Sequence, residues 1–311
     1  MVLTSMRATS CCLYTAEVAF DVSYPGYSWM EYVAAAGFDA FSMDTTGYGR
    51  SRRPNVMNDI CNLSERQQAD FVPSFIDEPC PPSYPFAATT IASDWDDINA
   101  VVDWLRDFRD VEKVHMVAWS LGGPRAAGYA ALYPDKVGNL VLLAPAYGRG
   151  RSGSPPDNLP SPGAAFTKQS ANDFTNNWNR QVGCDNQYEA NVKTAIWQDM
   201  LASDSVGATW GTGVRRAPRT TTWGWNQDMV AATHNPMLIV SPAHDAQVRP
   251  ASVRALYEDL GAAQKVLLDL GCTSHNAMWE TNRIILFDAT VQWLRDVNVD
   301  GTSAGEIRRG Y

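Results

Sequence analysis

Apolar residues in this chain fall into two alternating patterns. Short, nearly unbroken apolar runs occur at 38–43 (Phe-Asp-Ala-Phe-Ser-Met), 114–119, 139–144 (Asn-Leu-Val-Leu-Leu-Ala), 236–241 (Pro-Met-Leu-Ile-Val-Ser) and 265–270 (Lys-Val-Leu-Leu-Asp-Leu). Runs of this length without polar alternation predict strands covered on both faces, as in a parallel sheet. Between them lie stretches with helical spacing. One, near 94–109, places Ile98, Val101, Val102, Leu105 and Phe108 on one face, with Ser93 and Asp96 as an N-terminal capping pair. Another, near 277–295, does the same with Ile284, Phe287, Val291 and Leu294. Strand and helix in alternation predict an α/β fold with a doubly wound, mostly parallel sheet.

Two segments break the rhythm. Residues 52–92 are rich in Pro, Asn and Asp and predict a long loop. Residues 148–235 open on the linker-like Gly148-Arg149-Gly150-Arg151-Ser152-Gly153-Ser154-Pro155-Pro156 and continue with helical material carrying Trp178, Trp197, Trp210, Trp223 and Trp225. The expected organisation is a core formed by 1–147 and 236–311, with 148–235 inserted as a helical lid.

With 311 residues, 45% of them apolar, the chain can bury a large core. Its net charge of −9 and lack of a basic run argue against a nucleic-acid partner. No apolar run is long enough for a membrane span, and the first residues lack the apolar stretch of a signal peptide. The expectation is a cytoplasmic protein acting on a small molecule, with secretion as the alternative and a homodimer left open. No C-x-x-C pair is present among Cys11, Cys12, Cys61, Cys80, Cys184 and Cys272, which excludes a zinc ribbon. Cys61 and Cys80 flank one Pro-rich loop and have the spacing for a bridge. The reading taken is separate reduced thiols, in keeping with the cytoplasm.

The candidate chemistry centres on Val114-His115-Met116-Val117-Ala118-Trp119-Ser120-Leu121-Gly122-Gly123. A buried strand leads into a tight turn with one serine, and a helix starts at once. Small residues at Ala118 and Gly122 let the strand and helix backbones approach there. A serine hydroxyl is a weak nucleophile at neutral pH and needs an adjacent base. His115 lies within the strand, and His234 precedes a strand at the wrong end for a site. Sites in open α/β sheets lie beyond the carboxyl ends of strands, which leaves His244 and His275. His275 is preferred, because Asp245 then occupies the preceding strand end as the acid.

The order Ser120…Asp245…His275 resembles that of the α/β-hydrolase superfamily, as does the elbow Ala118-Trp119-Ser120-Leu121-Gly122-Gly123. Asp44-Thr45-Thr46-Gly47-Tyr48-Gly49-Arg50-Ser51 is similar to that superfamily's D-x-x-G-x-G-x-S turn. The resemblance implies a cofactor-independent serine hydrolase working through an acyl-enzyme, with the Leu121 N–H as one oxyanion donor. The second donor is expected from a loop near residues 6–12, where the superfamily's His-Gly is absent, so a backbone N–H of Arg7 or Ala8 is the candidate. The resemblance also implies two earlier strands for which about five residues leave no room, so the sheet is expected to lack its first strands. Trp119, Trp210, Trp223, Arg215 and Arg216 are the candidate substrate contacts; the arginines could anchor a substrate carboxylate, although in an acidic protein such arginines more often pair with Asp or Glu. The expected activity is cleavage of a medium-sized apolar or aromatic ester or lactone. A C–C bond hydrolase acting on a diketone and a non-catalytic ligand-binding relative are the alternatives.

Overall fold

The computed structural model describes residues 1–4, 7–11, 16–149, 161–218 and 225–311. Its strands are β1 (Val2–Thr4), β2 (Arg7–Cys11), β3 (Asp39–Ser42), β4 (Val114–Trp119), β5 (Val137–Leu143), β6 (Thr167–Gln169), β7 (Val214–Arg216), β8 (Met237–Pro242), β9 (Lys265–Leu270) and β10 (Gly305–Arg309). The helices are α1 (Ala16–Phe20), α2 (Trp29–Ala35), α3 (Glu65–Gln68), α4 (Ile91–Arg109), α5 (Gly122–Leu132), α6 (Ala171–Asn179), α7 (Val192–Ala202), α8 (Gln227–Ala231), α9 (Pro250–Asp259) and α10 (Arg283–Asp296).

Eight strands form one sheet in the order β10-β9-β8-β5-β4-β1-β2-β3, with β4 also paired to β2. The pairs β2–β4, β4–β5, β5–β8, β8–β9 and β9–β10 are parallel, and β1 is antiparallel. The sheet is therefore mostly parallel, as the apolar runs predict. Every residue of β8 is buried, and β4 and β5 are buried but for one residue each, so both faces are covered. On one side Trp29, Phe287 and Trp293 pack against Val141, Leu238 and Leu268. On the other, Ile98, Val102 and Leu105 pack against Met116, Leu140 and Ile239.

Several local expectations change. Helix α4 starts at Ile91, and its capping box is Thr90 with Ser93 rather than Ser93 with Asp96. Phe108, expected on the buried face, is 53% exposed and stacks on Trp104. The last long helix begins at Arg283, after a separate short turn at Ala277–Trp279, and its Ile284 is exposed. The loop at 52–92 carries short helical turns around a small core of Met57, Leu63, Phe71, Phe166 and Trp210.

The reduced-thiol expectation is corrected. Cys61 is bonded to Cys80, and Cys184 to Cys272. The first bridge closes the Pro-rich loop. The second joins residues 88 apart, one between β5 and β8 and the other just after β9. Strand β10 has no counterpart among the runs read as strands; it lies at the sheet edge, and its half-exposed pattern carries no continuous apolar signal.

Candidate active site

Strand β4 ends at Trp119 and α5 begins at Gly122, so Ser120 sits in a two-residue turn. Its φ is +58°, in the left-handed region that non-glycine residues rarely occupy. Backbone hydrogen bonds hold this conformation. Ser120 N–H donates to Leu143 O at 2.9 Å, and Ser120 O accepts from Gly123 N and Ala146 N, each at 3.0 Å. A close backbone approach is present at Gly123. A Cβ on Gly123 would lie 2.7 Å from the Pro145 side chain. Leu121 N–H belongs to the first turn of α5, where backbone donors face outward and the helix dipole favours negative charge.

The parallel order β4-β5-β8-β9 brings three strand ends to one edge. Asp245 follows β8, and His275 follows β9. His275 Nδ1 lies 2.7 Å from Asp245 Oδ2, and His275 Nε2 lies 2.8 Å from Ser120 Oγ. The other carboxylate oxygen, Asp245 Oδ1, accepts N–H bonds from Gln247 and Val248, each at 2.8 Å. With one oxygen occupied by two backbone donors, the other is aimed at the ring. Nδ1 therefore carries the proton, and Nε2 is left as an acceptor for the serine hydroxyl. Ser120, Asp245 and His275 are 4%, 4% and 2% exposed, so all three side chains lie largely out of water.

The other histidines have different duties. His115 Nδ1 accepts from Asn139 N at 2.8 Å inside the sheet, where burial lowers its pKa to about 4. His244 backbone N–H donates to Thr273 O, and its ring packs on Gly183 so closely that a Cβ there would not fit. His234 reaches Gly261 O from an exposed position.

Around the base, buried polar groups are paired. Trp119 lies beneath the site, fully buried, and its indole N–H donates to His275 O at 2.7 Å. Glu280, also fully buried, accepts from Ser274 N (2.7 Å), Ser274 Oγ (2.6 Å), Trp178 Nε1 (2.7 Å) and Gln187 Nε2 (3.0 Å). Burial pushes its carboxyl above the usual range, against the four donors, which favour the ionised form. Beneath the elbow, Arg125 donates to Asp94 at 2.6 Å, both side chains being buried. The sequence signals neither Glu280 nor the Asp94–Arg125 pair, because isolated charged residues in helical stretches read as surface.

The expected substrate contacts fare unevenly. Arg215 is 4% exposed and ion-paired with Asp204 at 2.6 Å, while its own backbone N–H donates to the same carboxylate. That carboxylate, held below its usual pKa despite burial, already occupies the guanidinium intended for a substrate. Trp210 stands edge-on to Phe71 in the core of the 52–92 loop, with Arg215 over its ring, and the structure does not bring it to the relay. Arg216 donates to Gln169 and lines a hollow with Tyr48, Arg53 and Met200. Trp223 lies outside the described residues.

The second oxyanion candidates are corrected by strand register. Arg7 pairs with Asp39 and Ala8 with His115, five residues before Ser120, so both lie within β2, well short of the strand's site end. Cys11 is the β2 residue level with Ala118, and residues 12–15 lie outside the described residues. The spacing estimate ran the strand too early because residues 7–11 have no continuous apolar signature. Among the described residues no group of three or more His, Cys, Asp or Glu is placed to hold a metal ion. No helix among them is long and apolar enough to cross a membrane.

Several known proteins are similar to this chain. A curated relative, a 2-hydroxy-6-oxononadienedioate/2-hydroxy-6-oxononatrienedioate hydrolase from Paraburkholderia phymatum, is 37% identical over 67 residues. That match spans 21% of this chain and only 22% of the relative's length. A monoacylglycerol lipase from Paleococcus ferrophilus superposes with a TM-score of 0.54 at 16% identity, covering 95% of this chain and 97% of its own. A meta-cleavage product hydrolase, CumD, gives 0.56 at 15% identity, covering 93% and 91%. A carboxylesterase, CesB, from Bacillus subtilis gives 0.52 at 13%, covering 94% and 84%. At these identities the superpositions speak for the fold alone. Residues 19–280 match the alpha/beta hydrolase fold family, and the chain belongs to it.

Proposed function

We propose that this protein is a serine hydrolase that cleaves a carboxylic ester or lactone through an acyl-enzyme. The observation that carries the reading is the continuous hydrogen-bonded line from Asp245 through His275 to Ser120, at 2.7 and 2.8 Å. His275 Nε2 takes the Ser120 proton as Oγ attacks the carbonyl carbon. Asp245 keeps the ring in the required tautomer and stabilises the imidazolium. The tetrahedral oxyanion is held by Leu121 N–H. On collapse His275 returns its proton to the leaving alkoxide, and a water that it then deprotonates releases the acid.

Residues 148–235 act as a lid over this site. The described part of that segment contributes Trp178 and Phe174, which pack on Trp279 behind the base. A near-buried nucleophile fits a largely apolar substrate that displaces water on entry. The two disulfides fit an oxidising compartment better than the cytoplasm.

Cleavage of a C–C bond in a diketone is the second reading. The short match to a hydrolase of that kind of substrate favours it, and the same relay serves both reactions. Parallel assays on p-nitrophenyl esters and on a vinylogous β-diketone separate the two. The first reading expects turnover of the esters that is lost in Ser120→Ala. Preferential cleavage of the diketone by the wild type transfers the assignment to the second, and full ester turnover by Ser120→Ala defeats both.

A further inference from the structure

The segment between α6 and α7 is fastened to both of the loops that carry the acid and the base. Gln181, 2% exposed, is its centre. Its side-chain oxygen accepts from Ala246 N at 3.0 Å and, at a longer 3.4 Å, from His275 N. Its amide nitrogen donates to Asn177 O at 3.0 Å, which fixes which end of the amide faces which loop. One acceptor atom thus links the residue after the acid to the backbone of the base. The rest of the segment is held close by. Gln187 donates to Gln181 O and to Glu280, Thr281 N–H donates to Gln187 O, Gly183 lies on the His244 ring, and Cys184 is bonded to Cys272.

We infer that Gln181 is a positioning residue for the proposed acyl transfer, its amide oxygen setting the spacing of the Asp245 and His275 loops. This rests on the serine-hydrolase reading above. The relay depends on two hydrogen bonds, each near its optimal length, made by side chains on separate loops. Asp245 is fixed from its own side by Gln247 and Val248, and His275 from below by Trp119. The two loops are also joined directly, His244 N–H donating to Thr273 O at 2.8 Å, and Gln181 adds a second tie from the inserted segment, at the residue after the acid and at the base itself.

The test compares Gln181→Met, which keeps the volume and loses the acceptor, with Gln181→Glu, which keeps an acceptor oxygen. For Gln181→Met the expected result is a fall in kcat on p-nitrophenyl acetate of about ten- to a hundredfold, with KM within about twofold, the scale for a slightly misplaced catalytic group. Gln181→Glu restores most of kcat. The low-field proton NMR signal of His275 Nδ1–H shifts or broadens in Gln181→Met and not in Gln181→Glu. If Gln181→Met does not fold, Gln181→Asn withdraws the oxygen by one methylene and is expected to lose kcat in the same way. A Met variant with wild-type kcat, or a Glu variant as impaired as the Met variant, overturns the inference. Labelling of wild-type Ser120 by a fluorophosphonate in the same preparation keeps the hydrolase reading standing in that event; its failure removes the reading itself.

Discussion

Replacing Asp245 with asparagine should leave the fold intact and nearly abolish turnover, for a reason set by the surroundings of the carboxylate. Asp245 Oδ1 receives two backbone N–H bonds, from Gln247 and Val248. In an asparagine only the carbonyl oxygen can take that place, since the amide group there would set donors against donors. The NH2 must then face His275 Nδ1, which can meet it only as an acceptor. The imidazole proton moves to Nε2, where it points at Ser120 Oγ, and the ring can no longer receive the hydroxyl proton. Inversion of the tautomer lowers kcat by roughly 10⁴ in such a relay. At about 1.4 kcal/mol per factor of ten this is about 5.5 kcal/mol of transition-state stabilisation. The assay is kcat/KM on p-nitrophenyl butyrate, with a thermal melt to show that the variant is folded. A folded Asp245→Asn enzyme within about tenfold of the wild type would refute the reasoning, because loss of the tautomer cannot be that mild.

Other predictions follow from the buried polar framework. Asp94→Ala leaves Arg125 uncompensated beneath the elbow and should cost about 3–5 kcal/mol in chemical denaturation, the usual result of removing one partner of a buried pair; a change near zero would show that water reaches the guanidinium. Cys184→Ser opens a cross-link spanning 88 residues and should lower stability by about 2–4 kcal/mol, read as a fall in Tm. Asp204 contributes to acid sensitivity. Burial opposes its ionisation, but hydrogen bonds from Arg215 outweigh that and hold its pKa below the ordinary 3.8. A carboxylate depressed in the folded state adds stability above its unfolded pKa and loses it as pH falls through the folded one. Asp204→Asn should therefore flatten the acid side of a stability–pH curve measured by urea unfolding, and an unchanged acid slope would count against the pairing.

The parts of this molecule that were legible in the sequence are those governed by a repeating physical rule. Strands β4, β5, β8 and β9 must be apolar on both faces, so their runs could be placed to within a residue or two. The grouping of Ser120, Asp245 and His275 followed from strand ends, because a parallel sheet brings those ends to one edge. Features that depend on a single distant contact left no such trace. Thr90 and Ser93 are both fit to cap α4, and the reciprocal bonds between them show that Thr90 is the cap and Ser93 already lies in the first turn. Phe108 has the right spacing for burial, but it lies in the last turn of α4, where the side chain is left exposed. Cys184 and Cys272 are too far apart for any local signal. That Arg215 pairs with a carboxylate is the commoner outcome in an acidic protein, but its particular partner, Asp204, reads as an ordinary polar residue after α7. Gln181 and Glu280 carry polar groups that the chain alone would assign to the surface, and only the packing of the inserted segment against the base reveals their partners.

The central claim is that Ser120 is an activated nucleophile, and a fluorophosphonate probe reads that property directly. Intact-mass and peptide mapping should show one adduct on the wild-type protein, on Ser120, formed at neutral pH and absent from Ser120→Ala. Its rate should fall sharply in His275→Ala, where the base is gone. A wild-type protein that takes no label, or an adduct that persists in Ser120→Ala, would contradict the account.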